Sequence, residues 1–267
     1  NVNTDTLKAT YLGLLHEIGR ILDRKSLETL IDDEEILNDT LRLTGSLPAD
    51  ADLPSNSILH LVKMADRIVT RAELRPDESQ EVKKADKNIN PAIPLSSVFN
   101  NLKGNKLSFY YQPTPLAEEI NYPTDIPGFA ITSNDYRKLA DKLKKELSDI
   151  SFGNSYVNAL LSVLEANLSC LPSNTMHMDT ADIPLYDHCK LTAAIASCIQ
   201  EYLSYSNRTE YRFEPSAEDS FYAEKAFLMF SGDFSGIQSF IYNIVSDGAL
   251  KSLRSRSFFL ELTMEHI

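Results

Sequence analysis

The sequence predicts a mainly α-helical domain followed by the opening of an α+β domain. Three observations carry that reading. Apolar residues recur at helical spacing through most of the chain up to Tyr205. A polar, proline-containing stretch from Ser206 to Glu224 then breaks the pattern. Beyond it, Phe227-Leu-Met-Phe230 reads as a strand that runs through an Asp233-containing turn into an amphipathic helix starting near Ile237. The expected division is a helical domain over residues 1–215, a linker over 216–225, and the first part of an α+β domain over 226–267. An element of this kind cannot close its own sheet before Ile267, so the sequence is expected to be the N-terminal piece of a larger protein.

Each element has its own signal. Leu7, Tyr11, Leu14, Leu15, Ile18 and Leu22 fall on one helical face, which predicts a helix over residues 6–23 with Asp5 or Thr6 as its cap. Residues 24–57 are acidic and contain Gly45, Pro48 and Pro54, so a short helix followed by loop is expected. Ile58, Leu61, Val62, Ala65, Ile68 and Val69 restore helical spacing before a charged surface loop from Arg71 to Asn90. Residues 91–122 are rich in proline and aromatics, which predicts irregular chain with a short strand or hairpin around Leu107 to Gln112. Helices follow at about residues 134–150 (Leu139, Leu143, Leu147), 154–168 (Val157, Leu160, Leu161, Leu164) and 185–205. In the last of these, Ala193-Ala-Ile-Ala-Ser197 allows a neighbouring helix to approach closely.

Composition narrows the function. With 43% hydrophobic residues and a mean hydropathy of -0.23, the chain can bury a substantial core. No apolar run reaches the roughly 20 residues a membrane span needs, and the polar N-terminus lacks signal-peptide order, so a cytoplasmic protein with no membrane partner is expected. Cys170, Cys189 and Cys198 are odd in number and show no paired spacing, which fits reduced core thiols. The net charge of -12 excludes an indiscriminate nucleic-acid binder. The one compact basic segment, Lys251-Ser-Leu-Arg-Ser-Arg256, is either a solvated helix face or a contact for phosphate or a partner.

Two places hold candidate chemistry. His16-Glu17 lies in the first helix, while Asp182 and His188 flank the start of the helix at 185–205. Were those helices adjacent, imidazoles and carboxylates would converge on a metal suited to phosphodiester hydrolysis; the alternative is a pair of buried, hydrogen-bonded histidines. In the last segment, Ser235-Gly-Ile-Gln238 has the form of a capping box, with Ile237, Phe240, Ile241, Ile244 and Val245 as the apolar face. The same helix start offers free N–H groups to a phosphate, and Gly236 permits close approach.

Five segments together resemble a known family. They are Leu14-Leu-His-Glu-Ile-Gly-Arg20, Val62-Lys-Met-Ala-Asp-Arg-Ile68, Asp182-Ile-Pro-Leu-Tyr-Asp-His188 with the helix that follows, Gly232-Asp-Phe-Ser-Gly-Ile-Gln-Ser-Phe-Ile241, and Leu250-Lys-Ser-Leu-Arg-Ser-Arg-Ser-Phe258. In wording and order they are similar to the large subunit of type III-A CRISPR effector complexes, the Csm branch. That resemblance implies a permuted HD-type phosphohydrolase domain followed by the start of a ferredoxin-like palm domain. It implies cleavage of single-stranded DNA by the first and ATP-dependent synthesis of cyclic oligoadenylates by paired palms, with other effector subunits, crRNA and target RNA as partners. A divalent metal (manganese, nickel or magnesium) would be held by His16, Glu17, Asp182 and His188, with His16 and Glu17 catalytic. Asp233, Ser235, Gly236 and Gln238 would contribute to an ATP site. Asp66 also matches the family, and a salt bridge or helix cap is its expected role. The chain departs from the family pattern at Glu17, where an aspartate is usual, and in the histidine-free stretch from Leu27 to Asp52. Those departures leave a second reading in which the HD domain is a scaffold and only the palms act.

Overall fold

In the computed structural model, helix α1 (Thr4–Leu15) runs through the centre of the helical part, burying Ala9, Tyr11, Leu12, Leu14 and Leu15. The structure describes residues 3–48, 53–74, 90–102, 108–116, 122–125, 131–152, 156–175, 181–212, 221–243 and 248–265. The chain divides into two compact units, Asn1–Phe227 and Leu228–Ile267.

Helix α1 is shorter than its sequence pattern predicts. It is capped by the Asn3 side chain rather than by Asp5 or Thr6, and it stops at Leu15, before a 3-10 turn at Ile18–Arg20. Ile18 and Leu22 are nevertheless buried, because the tighter turn still directs them inward. Spacing alone therefore cannot separate this turn from a continuing helix.

The acidic stretch after it is also more ordered than expected. It forms α2 (Arg24–Leu30) and α3 (Glu34–Leu43), whose first turns are capped by the carboxylates of Asp23 and Asp33. Glu34 and Glu35 at the start of α3 and Arg42 at its end complement the helix dipole, so acidity here marks helix starts. Helix α4 (Ile58–Glu73) buries the expected Ile58, Leu61, Val62, Ala65 and Val69. The surface loop expected from Arg71 begins later, because α4 continues through Glu73, and most of the remainder to Asn90 lies outside the described residues.

The predicted short strand is present as the middle member of a small antiparallel sheet. Its order is β1 (Leu95–Ser96), β2 (Phe109–Tyr111) and β3 (Thr124–Asp125), with Leu95 opposite Tyr111 and Phe109 opposite Asp125. Leu107 lies outside the described residues. The Asn100 amide donates to the Phe109 carbonyl at 2.7 Å and accepts from the Phe109 N–H at 3.0 Å, which ties the turn after β1 to the start of β2.

Helix α5 (Ser133–Leu147) starts with a Thr132–Asp135 capping box and buries Leu139, Leu143 and Leu147. Helix α6 (Val157–Leu168) buries Leu160 and Leu164; the expected start at Asn154 lies outside the described residues. Helix α7 (Leu185–Tyr205) crosses α1 closely. A Cβ on Gly13 would lie 2.5 Å from the Ala193 Cα, so this crossing requires glycine on one side and a small residue on the other. That agrees with the close approach read from the alanine-rich run. Phe221, within the expected linker, is buried in the first unit's core beside Tyr202, with ring centroids 6.3 Å apart.

The second unit contains α8 (Ile237–Tyr242) and α9 (Ala249–Glu265). Two expectations fail here. Phe227–Phe230 is not a strand, because no described segment pairs with it, and Leu228 and Met229 are each 91% exposed. The Ser235/Gln238 capping box does not form either. Gly236 itself is the N-cap of α8, in a left-handed conformation at φ 76°, and no side chain caps the helix. Arg256 instead holds the other end of α8, donating to the carbonyls of Phe240 (2.5 Å) and Asn243 (2.8 Å) while stacking on the Phe240 ring. Ile244 and Val245 lie outside the described residues. Of the cysteines, Cys170 and Cys189 are buried as expected, whereas Cys198 is exposed; all three are free thiols. No described helix is long and apolar enough to cross a membrane.

Candidate metal centre

Where α1 ends, four peptide carbonyls lose their helical partners, and the His16 side chain takes up one of them. Its Nδ1 donates to the Gly13 carbonyl at 2.7 Å. A carbonyl only accepts, so Nδ1 carries the proton and the Nε2 lone pair points away from the helix. The Gly13–Ala193 crossing brings the start of α7 alongside this point. His188 thereby presents its own Nε2 3.2 Å from that of His16, with the rings inclined at 39°.

Helix α4 supplies the third group. Asp66 Oδ1 lies 3.3 Å from His188 Nε2 and 3.8 Å from His16 Nε2. It also accepts from the Thr70 hydroxyl at 3.3 Å. Asp66, Thr70 and Glu73 recur at i, i+4 and i+7, so they share one face of α4. Glu73 meets the other side of His188, with Oε1 2.9 Å from Nδ1, and its Oε2 accepts from the Ser173 hydroxyl at 3.1 Å.

Burial lowers the His16 pKa below the usual histidine value, and the neighbouring His188 charge adds to that effect, outweighing the pull of Glu17 and Asp66. For His188, burial also opposes charge, but hydrogen bonds and attraction from Asp66 and Glu73 prevail and raise its pKa to about 9. Burial would raise Asp66; the hydrogen bond from His188 and the charges of both histidines instead hold it below the ordinary aspartate value. Without metal, the protonated His188 thus turns its Nε2–H towards both the Asp66 carboxylate and the His16 ring. The adjacent Cys189 thiol is pushed far up by burial and is no nucleophile near neutral pH.

The donor set fits a divalent ion. Ligand atoms that share an ion at about 2.1 Å lie about 3.0–3.4 Å apart in octahedral or tetrahedral geometry. Two of the three separations here fall in that range, and the third is 3.8 Å. Both imidazoles turn a lone-pair position inward and anchor the outer nitrogen on an acceptor, the usual arrangement around metal-bound histidine. The Asp66 side chain is 32% exposed, so the group is open to solvent on its side.

Of the expected ligands, His16 and His188 come together and Glu17 and Asp182 do not. Among the described residues the cluster is His16, Asp66 and His188. Glu17, one residue past His16, is the N-cap of the 3-10 turn; it is not part of the cluster and acts on His16 through its charge. Asp182 precedes α7 by more than half a turn and accepts from the Asn101 amide at 2.7 Å. Asp66 was expected to serve in a salt bridge or a helix cap. It does pair with His188, and that contact is also what places it in the cluster. Glu73 was not anticipated at all, although its seven-residue spacing from Asp66 was there to read. Asp233, Ser235, Gly236 and Gln238 are exposed on the turn and first residues of α8, in the second unit.

A family model described as Csm1 subunit domain B matches residues 226–267. Two curated relatives carry the name CRISPR system single-strand-specific deoxyribonuclease Cas10/Csm1 (subtype III-A). The protein from Enterococcus italicus is 34% identical over 98% of this chain and 38% of its own length. The one from Streptococcus thermophilus is 32% identical over 96% of this chain and 36% of its own. The chain belongs to the Cas10/Csm1 family of subtype III-A. It spans little more than a third of the length of those Cas10/Csm1 relatives. A solved Csm1-Csm4 cassette in complex with one ATP is also similar, with a TM-score of 0.61 and 27% identity over 97% of this chain and 34% of that one. The same kind of cassette has been solved with cA3 and cA4.

Proposed function

We propose that His16, Asp66 and His188 form the divalent-metal centre of an HD-type phosphohydrolase that cleaves single-stranded DNA. The observation that carries this reading is the convergence of three ligand atoms from α1, α4 and α7, with both histidines anchored from behind. The names of the Cas10/Csm1 relatives supply the substrate class. A bound manganese, nickel or magnesium ion would polarise a phosphodiester as a Lewis acid. The chain's own part is to orient the ligands: Gly13 fixes His16, and the two acidic side chains of α4 enclose His188. The net charge of -12 keeps most of the surface unattractive to polyphosphate, so guidance of the strand is assigned to partner subunits.

The second unit belongs to a different activity. We assign Asp233, Ser235, Gly236 and Gln238 to an ATP site shared with palm elements beyond this chain, where cyclic oligoadenylates are made. ATP and cyclic oligoadenylate complexes of related cassettes support that assignment. Within this reading the chain acts in the large subunit of a type III-A effector complex alongside other subunits, crRNA and target RNA.

The test is manganese-dependent cleavage of single-stranded DNA by the assembled, target-RNA-activated complex. His16→Ala and Asp66→Ala should abolish it, whereas Glu17→Ala should retain it. Unchanged cleavage in His16→Ala would place the nuclease elsewhere. No cleavage by the parent would favour the scaffold reading. Loss of ATP turnover in Asp233→Ala, with cleavage intact, would separate the two units' roles.

A further inference from the structure

We propose that Glu73 is a positioning residue that fixes His188 with Nδ1 protonated, so that Nε2 is the atom turned towards His16 and Asp66. The inference rests on the metal-centre reading for its purpose, but its geometry stands without metal.

Both Glu73 oxygens are occupied. Oε1 accepts from His188 Nδ1 at 2.9 Å and Oε2 accepts from the Ser173 hydroxyl at 3.1 Å, so the carboxylate plane cannot rotate freely. Ser173 is itself held on a rigid support. Its N–H donates to the Ile183 carbonyl at 2.8 Å, and the neighbouring Leu171 carbonyl accepts from the Leu185 N–H at 2.7 Å. Arg20, half-buried at the end of the 3-10 turn, donates to the carbonyls of Pro172 and Ser173 at 2.8 and 3.0 Å. A chain of contacts thus runs from the segment after α1, through residues 172–173, to Glu73 and the outer face of His188.

A simple ion pair would not need this arrangement, because Asp66 already faces the His188 charge on the Nε2 side. What Glu73 adds is direction. It matches on His188 what the Gly13 carbonyl does for His16, and with both outer nitrogens fixed the two inner ones face each other. Acceptors of this kind orient the ring and raise ligand basicity, and their loss typically weakens metal binding about 10- to 100-fold.

The experiment uses the full chain with selectively 15N-labelled histidine. In the metal-free protein, His188 Nδ1–H should give a slowly exchanging downfield resonance, absent from Glu73→Ala and retained in Glu73→Gln, whose amide oxygen still accepts. Mn2+ titration followed by electron paramagnetic resonance should show roughly 10- to 100-fold weaker binding for Glu73→Ala and substantial recovery in Glu73→Gln. Thermal midpoints establish that both variants are folded. Persistence of the resonance in Glu73→Ala, its loss from folded Glu73→Gln, or unchanged Mn2+ affinity in Glu73→Ala would overturn the proposal. His16→Ala separates the two claims: Mn2+ binding unaffected by that change would sink the metal-centre reading, while the Nδ1–H resonance would still decide the role of Glu73.

Discussion

The first unit buries most of its described large apolar side chains, whereas the second leaves many of its own in solvent. Leu12, Leu59, Leu139 and Leu164 are fully or almost fully buried, while Leu228 and Met229 are each 91% exposed and Phe230 and Phe258 are 70% and 64% exposed. The contrast teaches that a segment can have the right local pattern without the right local structure. Helix α7 has α1 and α4 to pack on, and its predicted limits hold. Phe227–Phe230 has an equally apolar pattern but no strand beside it among the described residues, and a strand exists only through its ladder hydrogen bonds.

The largest effect expected from perturbing this contrast is at the metal centre. Asp66→Ala and His16→Ala should each weaken Mn2+ binding by more than about 100-fold, beyond the usual loss from an outer-sphere contact. Calorimetric titration of the full chain checks this, and Glu17→Ala in the same assay should change affinity by far less. Next, Leu164→Ala in the first unit's core should cost about 2–5 kcal/mol in denaturant unfolding. Gly13→Ala should cost about 1–3 kcal/mol, because the new methyl group meets the α7 backbone and forces the helices apart. It should also weaken Mn2+ binding, since His16 and His188 separate with the helices.

A pH series tests the electrostatics of the same site. The folded pKa of His188 is raised to about 9 from an ordinary value of 6.5, so its stabilising contribution is fully present below about pH 6.5 and is lost as pH rises through 9. Thermal midpoints of the metal-free chain should fall across that window, and His188→Gln should flatten the fall. The smallest effect belongs to the second unit. Met229→Ser should leave the stability of the chain within about 0.5 kcal/mol, and a larger loss would show that this segment is packed in solution.

Much of the helical part was legible because its signals are local. Leu139, Leu143 and Leu147 define one face of α5, and the alanine-rich run of α7 announces a close neighbour. The failures have identifiable causes. The 3-10 turn after α1 keeps Ile18 and Leu22 inward and so imitates a longer helix. Residues 24–57 were expected to hold one short helix followed by loop, but they hold two helices, the second capped by Asp33. The Ser235/Gln238 box lost to Gly236, which adopts a left-handed backbone that provides no side-chain cap.

The metal centre divides along the same line. His16 and His188 were legible as chemistry-bearing residues, but membership of a cluster depends on direction. Glu17 is adjacent to His16 in sequence and does not join the cluster, while Asp66 and Glu73 are distant in sequence and meet His188 from either side.

By itself, the sequence determined which helix faces are apolar, where small residues permit close crossing, and which imidazoles and carboxylates are available. Those properties depend on residue type and periodicity, which are written locally. Only the tertiary structure decided that α1, α4 and α7 would bring His16, Asp66 and His188 within one ion's reach. Such a meeting depends on how three helices pack together, and a single Gly13–Ala193 contact, lost on adding one methyl group, helps to set it.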